Sequence, residues 1–155
     1  SLQRNLNTLW IQESRSHTER KNTIRGVHVS LPPSLECKTI TAIRGRVLWV
    51  VLDVRKASTT FGQWETIILS EELNNTLCAA PGFAHGCRSL CDQCDLLLRA
   101  DTAYSNIHST GISWNDRELS IDWQLDGETP LISNKDNAYP SFSEFKKTHG
   151  GGVAL

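Results

Sequence analysis

Turn-forming residues recur about every ten positions along this chain, a spacing typical of all-β sandwiches and barrels. The segments between them are short and rich in β-branched and aromatic residues. Strands are expected over Ile24–Ser30, Lys38–Arg44, Arg46–Arg55, Trp64–Leu69, Thr76–Ala79, Ala84–Leu90, Cys94–Arg99 and Gly111–Trp114, each bounded by Gly, Pro, Asn or Asp. Leu31-Pro32-Pro33 stops the first, because proline cannot donate to a ladder. The apolar centre of Arg46–Arg55 reads as a strand buried on both faces, and Gly45 before it as a hairpin turn. Asp126-Gly127 reads as a further turn. Helical signal is thin. Leu2, Leu6 and Leu9 share the spacing of one short helix, and Ser141–Lys147 that of another, with Ser141 as N-cap. The pattern predicts an all-β jelly roll, a sandwich or barrel, with one or two short peripheral helices.

Composition narrows the functional classes. A chain of 155 residues suits a single domain, expected over residues 1–148 and followed by a flexible glycine-rich tail at 149–155. Sixteen Lys and Arg against 17 Asp and Glu leave a net charge of −1, with no basic field for a nucleic-acid backbone. No apolar run approaches the roughly 18 residues of a membrane span, so no membrane partner is expected. The N-terminus lacks the layout of a signal peptide, and five cysteines fit no disulfide frame, so a cytoplasmic location is expected. The absence of methionine implies processing or a fragment.

Cys87, Cys91 and Cys94 spell C-x3-C-x2-C, the spacing that holds an iron–sulfur cluster in radical SAM enzymes. The β-rich context favours structural thiols. Cys87 and Cys91 alternate along one strand face, and Cys91–Cys94 form a hairpin tip. A zinc site would need a fourth ligand from Cys37 or Cys78.

Four segments, taken in order, carry a resemblance. They are Ile24-Arg25-Gly26-Val27-His28 with Lys38 ten residues beyond the histidine, then Val51-Leu52-Asp53-Val54-Arg55-Lys56 running on to Thr60-Phe61-Gly62-Gln63-Trp64. Pro81-Gly82-Phe83-Ala84-His85-Gly86 and Ile132-Ser133-Asn134-Lys135-Asp136 complete the set. The chain resembles the dTDP-4-dehydrorhamnose 3,5-epimerase family from about Gln12 to Pro140. That resemblance implies a cupin-type jelly roll that forms a homodimer. It also implies a nucleotide-linked 4-keto-6-deoxyhexose, dTDP-linked in the family, as substrate. The reaction would invert carbons beside the C4 ketone, as a step in deoxysugar and polysaccharide biosynthesis.

The chemistry explains the residue types. A C–H beside a carbonyl yields its proton to a well-placed histidine, and a carboxylate fixes the histidine's tautomer. By resemblance His28 is the base, Asp136 its partner and Lys38 the cation at the enolate oxygen. Arg25, His85, Lys135, Gln12 and Tyr104 match substrate-binding positions, with Gln12-Glu13-Ser14 resembling the family's Gln-Asp-Asn. Arg25 and His28 are three apart, so both can serve one pocket only across a bulge near Gly26. No cofactor is implied. Metal-binding cupins offer His-x-His on one strand, and the second histidine here falls at Ser30, so no metal is expected.

Two departures stand out. Thirteen residues after the Phe-Ala-His-Gly histidine the family supplies a tyrosine, associated chiefly with inversion at C5, and here that position is Leu98. An alternative is therefore a C3-only epimerase, and another is a catalytically silent homologue that still binds a sugar nucleotide. The family also begins with a longer N-terminal stretch.

Overall fold

A computed structural model describes residues 9–155. The helix expected from Leu2, Leu6 and Leu9 lies largely outside the described residues. The described residues form two sheets of short strands packed face to face. One has the order β1 (Gln12–Thr18), β8 (Cys94–Ala100), β3 (Lys38–Arg44), β6 (Thr76–Ala79). The other runs β10 (Leu131–Ile132), β2 (Thr23–Ser30), β7 (Phe83–Ser89), β4 (Arg46–Asp53), β5 (Trp64–Ser70), with β9 (Ser109–Gly111) also pairing β2. This is the expected all-β jelly roll. β1 was not anticipated, because its sequence QESRSHT offers no apolar alternation to read.

β4 lies between β7 and β5, as its apolar centre predicts. Val47 and Trp49 join one core cluster, with Ile40, Leu69 and Leu96, while Val50 and Leu52 join a second with Ile24, Val27, Ile112 and Phe145. Each aliphatic side chain buried in this way contributes about 1.5–3 kcal/mol. Asp53, at the end of β4, accepts hydrogen bonds from Arg55 Nε (3.0 Å) and Nη2 (2.7 Å), Ser58 Oγ (2.5 Å) and Thr60 Oγ1 (2.6 Å). Burial opposes its ionisation, but these donors outweigh that and hold the carboxyl below the usual carboxylate range.

Three expectations are corrected. Gly45 is not a hairpin turn: β3 and β4 pair in different sheets, and Gly45 (φ +73°) carries the chain across the sandwich corner. Cys91–Cys94 likewise links β7 to β8 across sheets rather than tipping a hairpin. Sequence spacing predicts a tight connection but not whether its flanking strands pair with each other. The third concerns 149–155, which does not hang free. Val153 is 2% exposed, donates to Val54 O at 2.7 Å and accepts from Lys56 N at 2.9 Å, because its side chain fills the core beneath β4.

The second helix forms over Phe142–Thr148 with Ser141 as N-cap in a capping box with Glu144. Ahead of it a single turn, α1 (Asn134–Asn137), is capped by Ser133, whose side chain accepts from Asp136 N. Parts of the four segments that carried the resemblance meet: His28 on β2 pairs with His85 on β7, Val51 on β4 pairs with the same His85, and Asp136 in α1 reaches His28. Among the described residues no helix is long and apolar enough to cross a membrane.

Candidate active site

The site begins with an irregularity in β2. Arg25 pairs with Cys87 and His28 with His85, so three steps on β2 match two on β7: one residue is extra. Gly26 absorbs it at φ +104°, where a Cβ would stand 2.6 Å from His85 O and 2.9 Å from Gly86 Cα. The bulge expected from the Arg25–His28 spacing is therefore present, and it turns both residues to the face shared by His85 and Cys87.

His28 opens into a cavity of about 250 Å³ at the mouth of the sandwich. Its Nε2 lies 3.0 Å from Asp136 Oδ1, and Gly26 N donates to the other carboxylate oxygen at 3.0 Å. The Asp136 side chain is 8% exposed against 49% for His28, so the carboxylate is interior and the imidazole faces the cavity. Burial penalises the Asp136 charge, yet the bonds from His28 and Gly26 prevail and lower its pKa. An ionised carboxylate only accepts, so Nε2 carries the hydrogen and Nδ1 keeps a lone pair.

Other walls come from both sheets. Lys38, Gln12 and Leu98 line the cavity from the sheet opposite His28, with Tyr104, Lys135 and Tyr139 completing it from the loops and α1. Lys38 Nζ is ion-paired with Glu36, which also accepts from Ser30 Oγ at 2.8 Å. Gln12 Oε1 accepts from Tyr104 N at 2.6 Å. Two candidates stand elsewhere. Arg25 shares the His28 face, but its guanidinium spans to β1, donating to His17 O (3.1 Å) and Thr18 Oγ1 (3.3 Å), and lines an adjoining hollow with Asp136. His85 lies beneath the site, 6% exposed, with Nδ1 accepting from Trp49 Nε1 at 3.3 Å.

Burial of His85 is expected to make the protein acid-sensitive. Burial first, then the charges of Lys38 and His28, push its pKa down from 6.5 to about 3. Between those values the unfolded chain binds the extra proton, so stability falls as pH drops from about 6.5, by up to about 1.4 kcal/mol per unit. Urea unfolding at pH 7 and pH 5 is expected to show this loss, and His85→Gln to remove much of it. An unchanged slope in the variant would assign the acid sensitivity to other groups.

Sequence reading missed Glu36 and Tyr139. Glu36 stands two residues before Lys38 on an approach that gave no motif. Tyr139 had a signal: it follows Asp136 by three, the spacing of one helical turn, and is one of only two tyrosines in the chain. Among the described residues no group of three or more His, Cys, Asp or Glu is arranged to hold a metal ion. Burial pushes the Cys87 thiol up to about 12, keeping it protonated and suited to packing.

A jelly roll with a bulge-mounted His–Asp pair, in a cavity also lined by Lys38, Lys135, Tyr104 and Tyr139, has the architecture of a cupin. The chain belongs to the dTDP-4-dehydrorhamnose 3,5-epimerase family, whose model matches residues 2–144. It is an isomerase. The dTDP-4-dehydrorhamnose 3,5-epimerase of Shigella flexneri is 35% identical over 127 residues, spanning 82% of this chain and 68% of that protein. The Legionella pneumophila dTDP-6-deoxy-D-glucose-3,5-epimerase in complex with dTDP-4-keto-L-rhamnose superposes with a TM-score of 0.81 at 32% identity, over 89% of this chain and 72% of that one. ChmJ, a 3'-monoepimerase from Streptomyces bikiniensis solved in complex with dTDP-quinovose, gives 0.85 at 27% identity, over 94% and 72%.

Proposed function

We propose that this enzyme epimerises a nucleotide-linked 4-keto-6-deoxyhexose by abstracting a proton beside the C4 ketone. The observation that carries the reading is the 3.0 Å contact of His28 Nε2 with a buried Asp136 at the wall of a ligand-sized cavity. Asp136 orients the imidazole and stabilises the imidazolium formed when Nδ1 takes the proton. Lys38 faces this pair from the opposing sheet and supplies positive charge toward the enolate oxygen. A cavity of about 250 Å³ falls below the usual range of roughly 300–1,000 Å³ for whole ligands, which fits entry of the hexose alone with the nucleotide along the rim. Lys135 on that rim suits the diphosphate, and Gln12 and Tyr104 suit the sugar or base.

A second reading is favoured by Leu98. Inversion needs a proton from the face opposite the base, and Leu98, an aliphatic side chain, occupies the wall facing His28. Inversion at C3 alone is the narrower activity this supports. Incubation with dTDP-4-keto-6-deoxyglucose in D2O separates the cases by NMR. Deuterium at C3 is expected; its appearance at C5 as well would return the full 3,5 activity. No incorporation into any nucleotide-linked keto sugar would leave a catalytically silent binding protein.

A further inference from the structure

We propose that Tyr139 is a catalytic residue of this site, its phenol donating a hydrogen bond to the substrate's C4 oxygen as that oxygen becomes an enolate. The proposal rests on the reading of His28 as the base. Four observations lead to it. The Tyr139 ring meets the His28 imidazole edge to face, with centroids 5.8 Å apart and planes at 79°. The ring is held there by a cradle only glycine provides: a Cβ on Gly111 would stand 2.4 Å from two of its carbons. Among the described residues the Tyr139 hydroxyl has no hydrogen-bond partner in the protein, so it is available to a ligand in the cavity it lines. The cation expected at the enolate is already engaged, since Lys38 Nζ is paired with Glu36.

The charge arithmetic then asks for a second donor. When a base removes a proton beside a ketone, the C–H pair becomes the new C=C bond and the carbonyl pair moves to oxygen. That developing negative charge sits at C4 whether the proton left C3 or C5. A lysine sharing its charge with a carboxylate stabilises it less than a free one, and a neutral O–H in a partly dry site supplies the difference. Burial, Asp136 and Tyr104 push the Tyr139 pKa up to about 12, so the phenol keeps its proton at neutral pH and acts as a donor throughout. In the forward step the proton on Tyr139 stays on its oxygen; it is shared, not transferred. This is the arrangement by which an active-site tyrosine serves a dienolate in ketosteroid isomerase.

Tyr139→Phe removes the hydroxyl and leaves the ring in its glycine cradle. The variant is expected to lose about 10²-fold in kcat, with KM little changed. Because the C4 oxygen is common to both reactions, deuterium exchange should fall by the same factor at every carbon that exchanges in the wild type. Two results overturn the proposal: an unchanged kcat, or exchange that persists while inversion at one carbon is lost, which would make the phenol a proton donor to carbon. Measuring His28→Ala in parallel separates the two levels of inference. If His28→Ala still exchanges, the base is misassigned; if it does not and Tyr139→Phe matches the wild type, only the role of Tyr139 falls. Thermal unfolding of the variant within a few degrees of the wild type shows that the readout is chemical.

Discussion

In His28→Ala, deuterium incorporation from D2O into dTDP-4-keto-6-deoxyglucose is expected to fall at least about 10³-fold, at the upper part of what a positioned general base contributes. Among the described residues none is placed to replace it at that point. His85, the nearest other imidazole, is buried beneath the site with Nδ1 occupied by Trp49, and its low pKa makes it a feeble base. Lys38 is ion-paired and Glu36 already accepts from Ser30 and Lys38. The fold should survive the change, because the His28 side chain is half exposed and the bulge is held by Gly26, not by the imidazole. A folded variant that still exchanged at near wild-type rates would place the base elsewhere.

The second large effect is expected from Asp136→Asn, near 10³-fold in kcat by analogy with the loss of tautomer control in a catalytic triad. Asparagine keeps the shape, and its carbonyl oxygen can still accept from Gly26 N. Its NH2 group then faces Nε2 and donates to it, which moves the imidazole hydrogen to Nδ1 and removes the lone pair that takes the substrate proton. The same substitution has a pH signature. The Asp136 pKa is lowered in the folded protein, so its bonds to His28 and Gly26 add stability above the ordinary carboxylate range, lost as pH falls through the folded value. The variant should lack that stretch of acid dependence in urea unfolding. Wild-type activity with an asparagine at 136 would reduce the carboxylate to a structural role.

Much of this was legible in the chain itself. Strand positions followed from turn residues and apolar runs, since backbone and side-chain preferences act over a few neighbours. Lys38–Arg44 and Thr76–Ala79 form over those same residues. Helix Phe142–Thr148 was legible because its N-cap, Ser141, and the lysines of its last turn lie within a few residues of one another. β1 was not: Gln12–Thr18 is polar throughout, and only pairing with β8 makes it a strand. Arg88 could not be placed either. It is buried, with its guanidinium held by Asn22 and by the carbonyls of Trp123 and Gln124, partners far from it in sequence.

The candidate site divides in the same way. By itself the sequence determined the residue types and their order, His28, Lys38, His85 and Asp136, together with the loss of a phenol at Leu98, because covalent order and chemistry are local properties. Only the tertiary structure decided which of them meet. It brought Asp136 to His28 across 108 residues, through one capped turn and one extra residue in β2. It sent Arg25 toward β1, paired Lys38 with Glu36 and set Tyr139 beside His28. Those choices depend on register, sheet crossing and the space left by Gly26 and Gly111, which exist only once the two sheets have closed on each other.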